Sequence, residues 1–314
     1  MIKIGGVNID VSHPKAFSER MEDYSMNMKY EYIFNEGFRG DEEVDWFVKR
    51  FGLAGRAASI EEMVDKVDVG FVQACNWEKH LPHAMPFIEK GKPVFIDKPM
   101  AGSVKDIKKI RELVNNGARI LGSSSIRYVK EIRDFLAKPV DVRGEVVALF
   151  GTSGANEFDY AIHIVEALSQ LAGAKAVSSK YIGKAKGEGD DVCEMFTVEY
   201  ANGVRGTYYS YLGKGRPFHI TVVTTKGVFS FVIDASMAYI ELLKNIGRAL
   251  EGKKNDLVDV DIILNCCEAM ICAKKSRDEK NGAEVKISEL CDDDKFDGYA
   301  FEKTYAANAK VIYK

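Results

Sequence analysis

The stretch Val94-Phe95-Ile96-Asp97-Lys98-Pro99-Met100 decides how the chain is read. An apolar run leads straight into an acid, a lysine and a proline. That is the pattern of a buried parallel strand whose carboxyl end presents one ammonium group. Open α/β sheets bind ligands outside those carboxyl ends, so Lys98 stands where chemistry is done. Pro99 withdraws a backbone donor, ends the strand and fixes the turn that aims the lysine. A plain surface Lys-Pro turn is the alternative, and the remainder of the chain decides between the two.

Working outward, residues 1–122 alternate strand and helix. Strands are expected at 2–7, 30–34, 67–74, 93–97 and 118–122. Ser12-His13-Pro14 opens a helix through about residue 24, and 41–51 forms a second. Ser59-Ile60-Glu61-Glu62 has the form of a capping box. Further helices follow at 80–90, ended by Gly91, and at 104–116, capped by Ser103. Repeated βα units of this length make a doubly wound parallel sheet, because parallel strands need crossover helices.

From residue 123 the rhythm changes. A helix at 129–136 leads to a strand at 144–151, a glycine-bearing loop at 151–154 and a helix at 158–171. Five strands are expected at 176–182, 193–200, 204–211, 218–225 and 228–232, with Asn202-Gly203 as the strongest hairpin turn. Tight turns between them imply a mostly antiparallel sheet. Helices at 239–250 and 258–276 precede an irregular tail. The expected fold is α/β: a nucleotide-type domain over 1–122, then an α+β domain over 123–314, with a cleft between.

Composition narrows the function classes. The 314 residues suit two domains, and 46% hydrophobic with 29% charged is ordinary for a chain with a large core. A net charge of -3 and a pI near 6.1 offer no general attraction to nucleic acid or anionic lipid. No apolar run approaches the roughly 20 residues of a membrane span. The first residues already read as a strand, leaving no room for a signal peptide. Six cysteines (75, 193, 266, 267, 272, 291) show no Cys-x-x-Cys pair. They read as reduced thiols of a cytoplasmic protein, without a disulfide framework or structural zinc.

A first strand feeding a helix suggests a dinucleotide site, with a glycine fingerprint near residues 5–13. Counted from Gly5, the second and third glycine places hold Val7 and Asp10; counted from Gly6, they hold Asn8 and Val11. Only one glycine is served in either register. The helix N-terminus at Ser12 and His13 can still bind phosphate through free amides and its dipole. Gly5, Gly6, Asn8, Ile9, Ser12 and His13 are therefore candidate cofactor contacts, and a tight turn with no ligand is the alternative. Asp10 is expected to point away from an anion or to meet a ribose hydroxyl. Asn35 and Glu36 end the second strand, where an acid holds the adenosine ribose. Glu36 favours NAD over NADP, whereas Arg39 close behind argues the other way.

Asp159-Tyr160-Ala161-Ile162-His163 carries the second chemical signal. At i and i+4 of one helix, a carboxylate and an imidazole can address one ligand, with Glu166 a turn further on. A core histidine is the alternative. No third ligand group accompanies the pair, and zinc wants at least three protein ligands, so no metal is expected.

These residues, taken together, resemble the Gfo/Idh/MocA oxidoreductases, the glucose–fructose oxidoreductase and inositol dehydrogenase group. Asp97-Lys98-Pro99 resembles that family's Glu-Lys-Pro signature, with a carboxylate one methylene shorter. Asn76, His80, Ala84 and Gly91-Lys92-Pro93-Val94 resemble the segment leading into it. Asp159-x-x-x-His163 resembles the second-domain motif, Arg127-Tyr128 the Arg-aromatic pair that opens that domain, and Ser12-His13 the step some relatives carry after a shortened loop.

The resemblance implies a Rossmann domain followed by a mostly antiparallel sheet that builds homo-oligomers, dimers or tetramers. It implies NAD(P)-dependent oxidoreduction of a sugar, polyol or related small substrate. Carried over, Lys98 and His163 are the catalytic pair, and Asp159 orients the substrate. Lys98, Arg127, Tyr128, Asp159 and His163 would contact the substrate; Asn76, His80, Asp97 and Lys98 would join the cofactor site. The rival is a non-catalytic ligand sensor on the same fold, which the depleted glycine loop favours and the retained Lys98, Asp159 and His163 oppose.

Overall fold

The computed structural model describes residues 1–187, 191–213 and 215–314. The first half runs β1 (Ile2–Val7), α1 (His13–Asp23), β2 (Met28–Phe34), α2 (Asp41–Phe51), β3 (Gly55–Arg56), α3 (Ile60–Val64), β4 (Val69–Val72), α4 (His80–Glu89), β5 (Val94–Ile96), α5 (Val104–Asn115) and β6 (Ile120–Leu121). All six strands are parallel, in the order β3-β2-β1-β4-β5-β6. The order reverses between β1 and β4, so their carboxyl ends open a crevice there. The strands are apolar on both faces because helices cover both; β4 and β5 are buried throughout.

Local chemistry explains these elements. Ser59 and Ser103 each accept a hydrogen bond from the backbone three residues on, starting α3 and α5. Val104, Ile107 and Ile110 then form the buried stripe of α5. In β4, a Cβ on Gly70 would stand 2.6 Å from the Phe87 ring, so glycine is what lets α4 lie close to the sheet.

The second half adds α6 (Lys130–Ala137), α7 (Val140–Arg143), β7 (Val146–Ala155), α8 (Phe158–Ala172), β8 (Ala176–Lys186), β9 (Val192–Tyr200), β10 (Arg205–Leu212), β11 (His219–Thr224), β12 (Val228–Val232), α9 (Ala238–Leu250), α10 (Val260–Asp278), β13 (Val285–Lys286) and α11 (Gly298–Asn308). Seven strands make one sheet, ordered β12-β11-β7-β10-β9-β8-β13. All its pairings are antiparallel except β7 with β10.

Two expectations need correction. Residues 151–154 are no loop: β7 runs through them, and a Cβ on Gly151 would lie 2.5 Å from Ile164. The glycine there serves close packing of α8 on the sheet, not a turn. Nor is the tail irregular, since it carries α11.

The halves are packed together. Leu242, Leu243 and Ile246 of α9 join the core on the α1 face of the first sheet, and so does Tyr313 near the chain end. All six cysteines are free, five of them buried. Among the described residues, no helix is long and apolar enough to cross a membrane.

Candidate active site

Lys98 and α8 meet at the centre of the molecule. Lys98 follows β5 at the sheet's carboxyl edge, in a cis Lys98–Pro99 turn. Its Nζ donates to Asp159 Oδ1 at 2.6 Å and to the Asp159 backbone oxygen at 2.9 Å. Tyr160 lays its ring 5.4 Å from the ammonium. Burial by itself would drive the proton off Lys98, but the carboxylates of Asp159 and Asp97 outweigh it, and its pKa ends above the usual lysine value. Lys98 is therefore a held cation.

Asp97 is equally fixed. Its Oδ2 lies 2.6 Å from His13 Nδ1 and 3.4 Å from Gln73 Nε2, and its Oδ1 accepts the Lys98 backbone N–H. Burial opposes its charge, yet His13 and Lys98 bring its pKa down to about 2.

His163 lies one turn along α8 from Asp159. Its Nδ1 is 2.7 Å from Ser124 Oγ, leaving Nε2 as the nitrogen open to a ligand. Burial first, then the neighbouring Lys98 and His13, push its pKa well below 6.5, so the ring is neutral near pH 7. Phe218 and Tyr160 pack edge-on against it. The cluster thus holds one fixed ammonium, one neutral imidazole and a set of aromatic walls. It can place a positive charge and a proton acceptor on one substrate oxygen.

Arg127 and Tyr128 do not join this group. Arg127 is buried and donates through Nε to Glu166 Oε2 at 2.8 Å. The same oxygen accepts the Ser124 N–H, so Arg127 stands behind His163 rather than beside a ligand. Tyr128 is buried too, its hydroxyl accepting from Val258 N–H.

The dinucleotide candidates separate into two groups. Gly5 and Gly6 lie inside β1, not in the loop; Gly5 abuts Met63 and Val67, and Gly6 abuts Ile33 and Tyr30. Asn8, at φ 66, accepts the Glu36 N–H through its side chain, and Ile9 N–H donates to Asn35 Oδ1. These bonds tie the loops after β1 and β2 together. Glu36 Oε1 lies 2.8 Å from His83 Nε2. His80 is buried between the backbone oxygens of Ala74 and Met100, where burial lowers its pKa. It fastens the loop after β4 to the turn after Pro99. Asn76, on that loop, donates to Glu302 Oε2.

Asp10 turns inward: Oδ2 accepts from Cys75 N–H, and Oδ1 has no partner among the described residues. Burial first, and Glu302 in a lesser degree, raise its pKa. Ser12, at the N-terminus of α1, makes no capping bond, and the first turn carries no acid. Pro14 has no N–H and Ala16 donates to the Ser12 carbonyl, so the His13 and Lys15 N–H groups are those left for an anion such as a dinucleotide phosphate.

Several participants had no sequence signal. Ser124 sits in an undistinguished serine run, and Tyr239, edge-on to His13, opens an ordinary amphipathic helix. Glu302 lies more than two hundred residues from Asn76.

The geometry agrees with what comparison finds. Residues 4–125 match the family described as "Oxidoreductase family, NAD-binding Rossmann fold", the Gfo/Idh/MocA group. Over those residues the nucleotide-binding half of this chain is similar to that family of oxidoreductases. The whole chain shares its fold with solved dehydrogenases. Apo scyllo-inositol dehydrogenase from Lactobacillus casei superposes with a TM-score of 0.76 at 14% identity, covering 92% of this chain and 98% of that one. Myo-inositol dehydrogenase from the same organism, in complex with NAD(H) and myo-inositol, gives 0.75 at 14%, covering 91% and 96%. Myo-inositol 2-dehydrogenase from Lactobacillus plantarum gives 0.75 at 12%, covering 91% and 99%. No curated protein matches the sequence.

Proposed function

We propose that the protein is a cytoplasmic NAD-dependent dehydrogenase or reductase acting on a sugar, a polyol or a related hydroxylated compound. The observation that carries this reading is the Lys98–Asp159 ion pair, which joins the two halves of the molecule one helical turn from a neutral His163. A cyclic polyol fits a site that offers a cation, an imidazole and aromatic walls, and such substrates occupy the inositol dehydrogenases of the same fold. Residues 1–122 would hold the cofactor, and 123–314 the substrate and the oligomer contacts.

In oxidation, the substrate hydroxyl gives its proton to His163 Nε2 while the Lys98 ammonium stabilises the developing alkoxide. Asp159 keeps Lys98 charged and aimed; Ser124 fixes the imidazole plane. Bound nicotinamide would supply the hydride chemistry. The residues that would hold the dinucleotide are the α1 N-terminus at Ser12 and His13, the loops at Asn8, Ile9 and Asn35, and Asn76 and Asp97. Glu36 has a half-exposed carboxylate, while Arg39 is spent on Glu43, the Asp10 carbonyl and the Lys310 carbonyl. That balance favours NAD, because Glu36 would repel a 2′-phosphate.

Val223, Val228 and Val232 are exposed on one face of the adjacent strands β11 and β12, an apolar surface that supports a homo-oligomer. The test is a panel of inositols, sugars and their oxidised forms, followed by nicotinamide absorbance in wild type and Lys98→Met. Turnover of one polyol by wild type alone supports the proposal; equal activity in Lys98→Met rejects the assigned role.

A further inference from the structure

The C-terminal segment reaches the three loops that border the crevice. Glu302 of α11 accepts from Asn76 Nδ2 at 3.0 Å and from Lys79 Nζ at 2.9 Å, both on the loop after β4. Phe301 packs 4.9 Å from the Trp77 ring, and Tyr305 stands 6.0 Å from Phe38 on the loop after β2. Beyond the helix, the Lys310 carbonyl takes Arg39 Nη1, and the Tyr313 hydroxyl donates to the Val11 carbonyl after β1. Lys15 of α1 donates to the Ile312 carbonyl. One segment therefore bridges the carboxyl ends of β1, β2 and β4, the place where an open α/β sheet receives its ligand.

We infer that residues 298–314 form a self-inhibitory strap that occupies the dinucleotide cleft, Glu302 standing in for a phosphate, and that dinucleotide binding displaces it. The inference rests on the NAD-site reading above and adds its regulation. Three features distinguish a strap from a permanent wall. An ammonium and a side-chain amide are the donors a phosphate would use, and Glu302 borrows both. Carboxylate oxygens of Glu302 and Asp10 and the Cys75 sulfur lie within 4.8 Å of one another, so the docked position carries like-charge repulsion that release removes. Finally, only Gly298 of α11 is fully buried, so the apolar cost of lifting the helix is chiefly the Phe301–Trp77 contact. Tyr313, packed against Trp46 and Phe47 with its hydroxyl on the Val11 carbonyl, is the latch that holds the docked segment down.

Amide hydrogen exchange of the full chain, with and without saturating NAD or NADH, tests this together with calorimetric affinity for Glu302→Gln and Tyr313→Phe. Exchange across 298–314 should rise when dinucleotide binds. Glu302→Gln should bind at least about fivefold more tightly than wild type, within the range of ordinary coupling between sites. Tyr313→Phe should shift affinity in the same direction while leaving Glu302 in place. Binding with unchanged or slowed exchange in 298–314 overturns the strap alone, because the segment would then be part of the bound site. Failure of wild type and both variants to bind any nicotinamide dinucleotide overturns the cofactor reading and the strap with it.

Discussion

Lys98, Asp159 and His163 form a unit in which Asp159 holds the Lys98 charge and Lys98 depresses His163, and their substitutions should not be additive. His163→Asn should lower kcat by roughly 10²–10⁴-fold with little change in folding, the usual size of a lost acid–base group. Ser124→Ala should cost less, and Ser124→Thr should restore most of it, because the hydroxyl only fixes the ring. The pH profile follows from the shifts. His163 is depressed below 6.5, so the acid limb of kcat/KM should fall below the ordinary histidine range and vanish in His163→Asn. Stability follows the same sign. As pH drops through 6.5, unfolded chains bind a proton at this residue that the folded state refuses, so stability declines with acidification. Asp97 adds a second decline between 3.8 and about 2. Chemical denaturation of wild type and His163→Asn across pH 5 to 7 should show a slope for the first and a flatter one for the second. At this scale the sequence was most legible where chemistry is local. Asp97-Lys98-Pro99 and Asp159-x-x-x-His163 announce themselves by residue type and spacing. Ser124 and Tyr239 do not, because their roles arise from contacts between distant segments.

Among the elements, β1, β5 and α8 follow directly from apolar periodicity and from serine caps or glycine stops. The misreading at 151–154 shows why glycine is ambiguous. A Gly-Thr-Ser-Gly run looks like a turn when only backbone freedom is considered. In β7 the first of these glycines is small for a different reason: Ile164 of α8 leaves no room for a Cβ. Gly151→Val should therefore destabilise the protein by about 1–3 kcal/mol through overpacking, read as a lower denaturation midpoint. A surface substitution such as Lys109→Ala should change stability by at most about 0.5 kcal/mol. If Gly151→Val proves neutral, the close approach of α8 to the sheet is not a constraint. Glycines 5 and 6 teach the same lesson from the other side. They were candidates for a phosphate loop, but they lie within β1 and make room for Met63, Val67, Ile33 and Tyr30.

At the scale of the whole molecule, two sheets are joined by a chain that crosses back. α9 packs on the α1 face, and the tail returns to the crevice of the first sheet. Such returns have no periodic signature: α11 mixes alanine, tyrosine, lysine and glutamate without a clear apolar stripe, and its partners lie on loops far away in sequence. The doubly wound sheet was legible because βα alternation dictates it; the covering of its crevice was not. That covering is also what gives the sensor reading its support, since a cleft filled by its own chain resembles a site no longer used for catalysis. Calorimetric titration of NAD(H) and NADP(H) into wild type and Lys98→Ala separates the two accounts. An NAD-dependent enzyme with Lys98 in the chemistry predicts that NAD(H) binds both proteins with similar affinity and NADP(H) binds more weakly. Absence of binding by either dinucleotide to wild type, at concentrations on the order of millimolar, would contradict it.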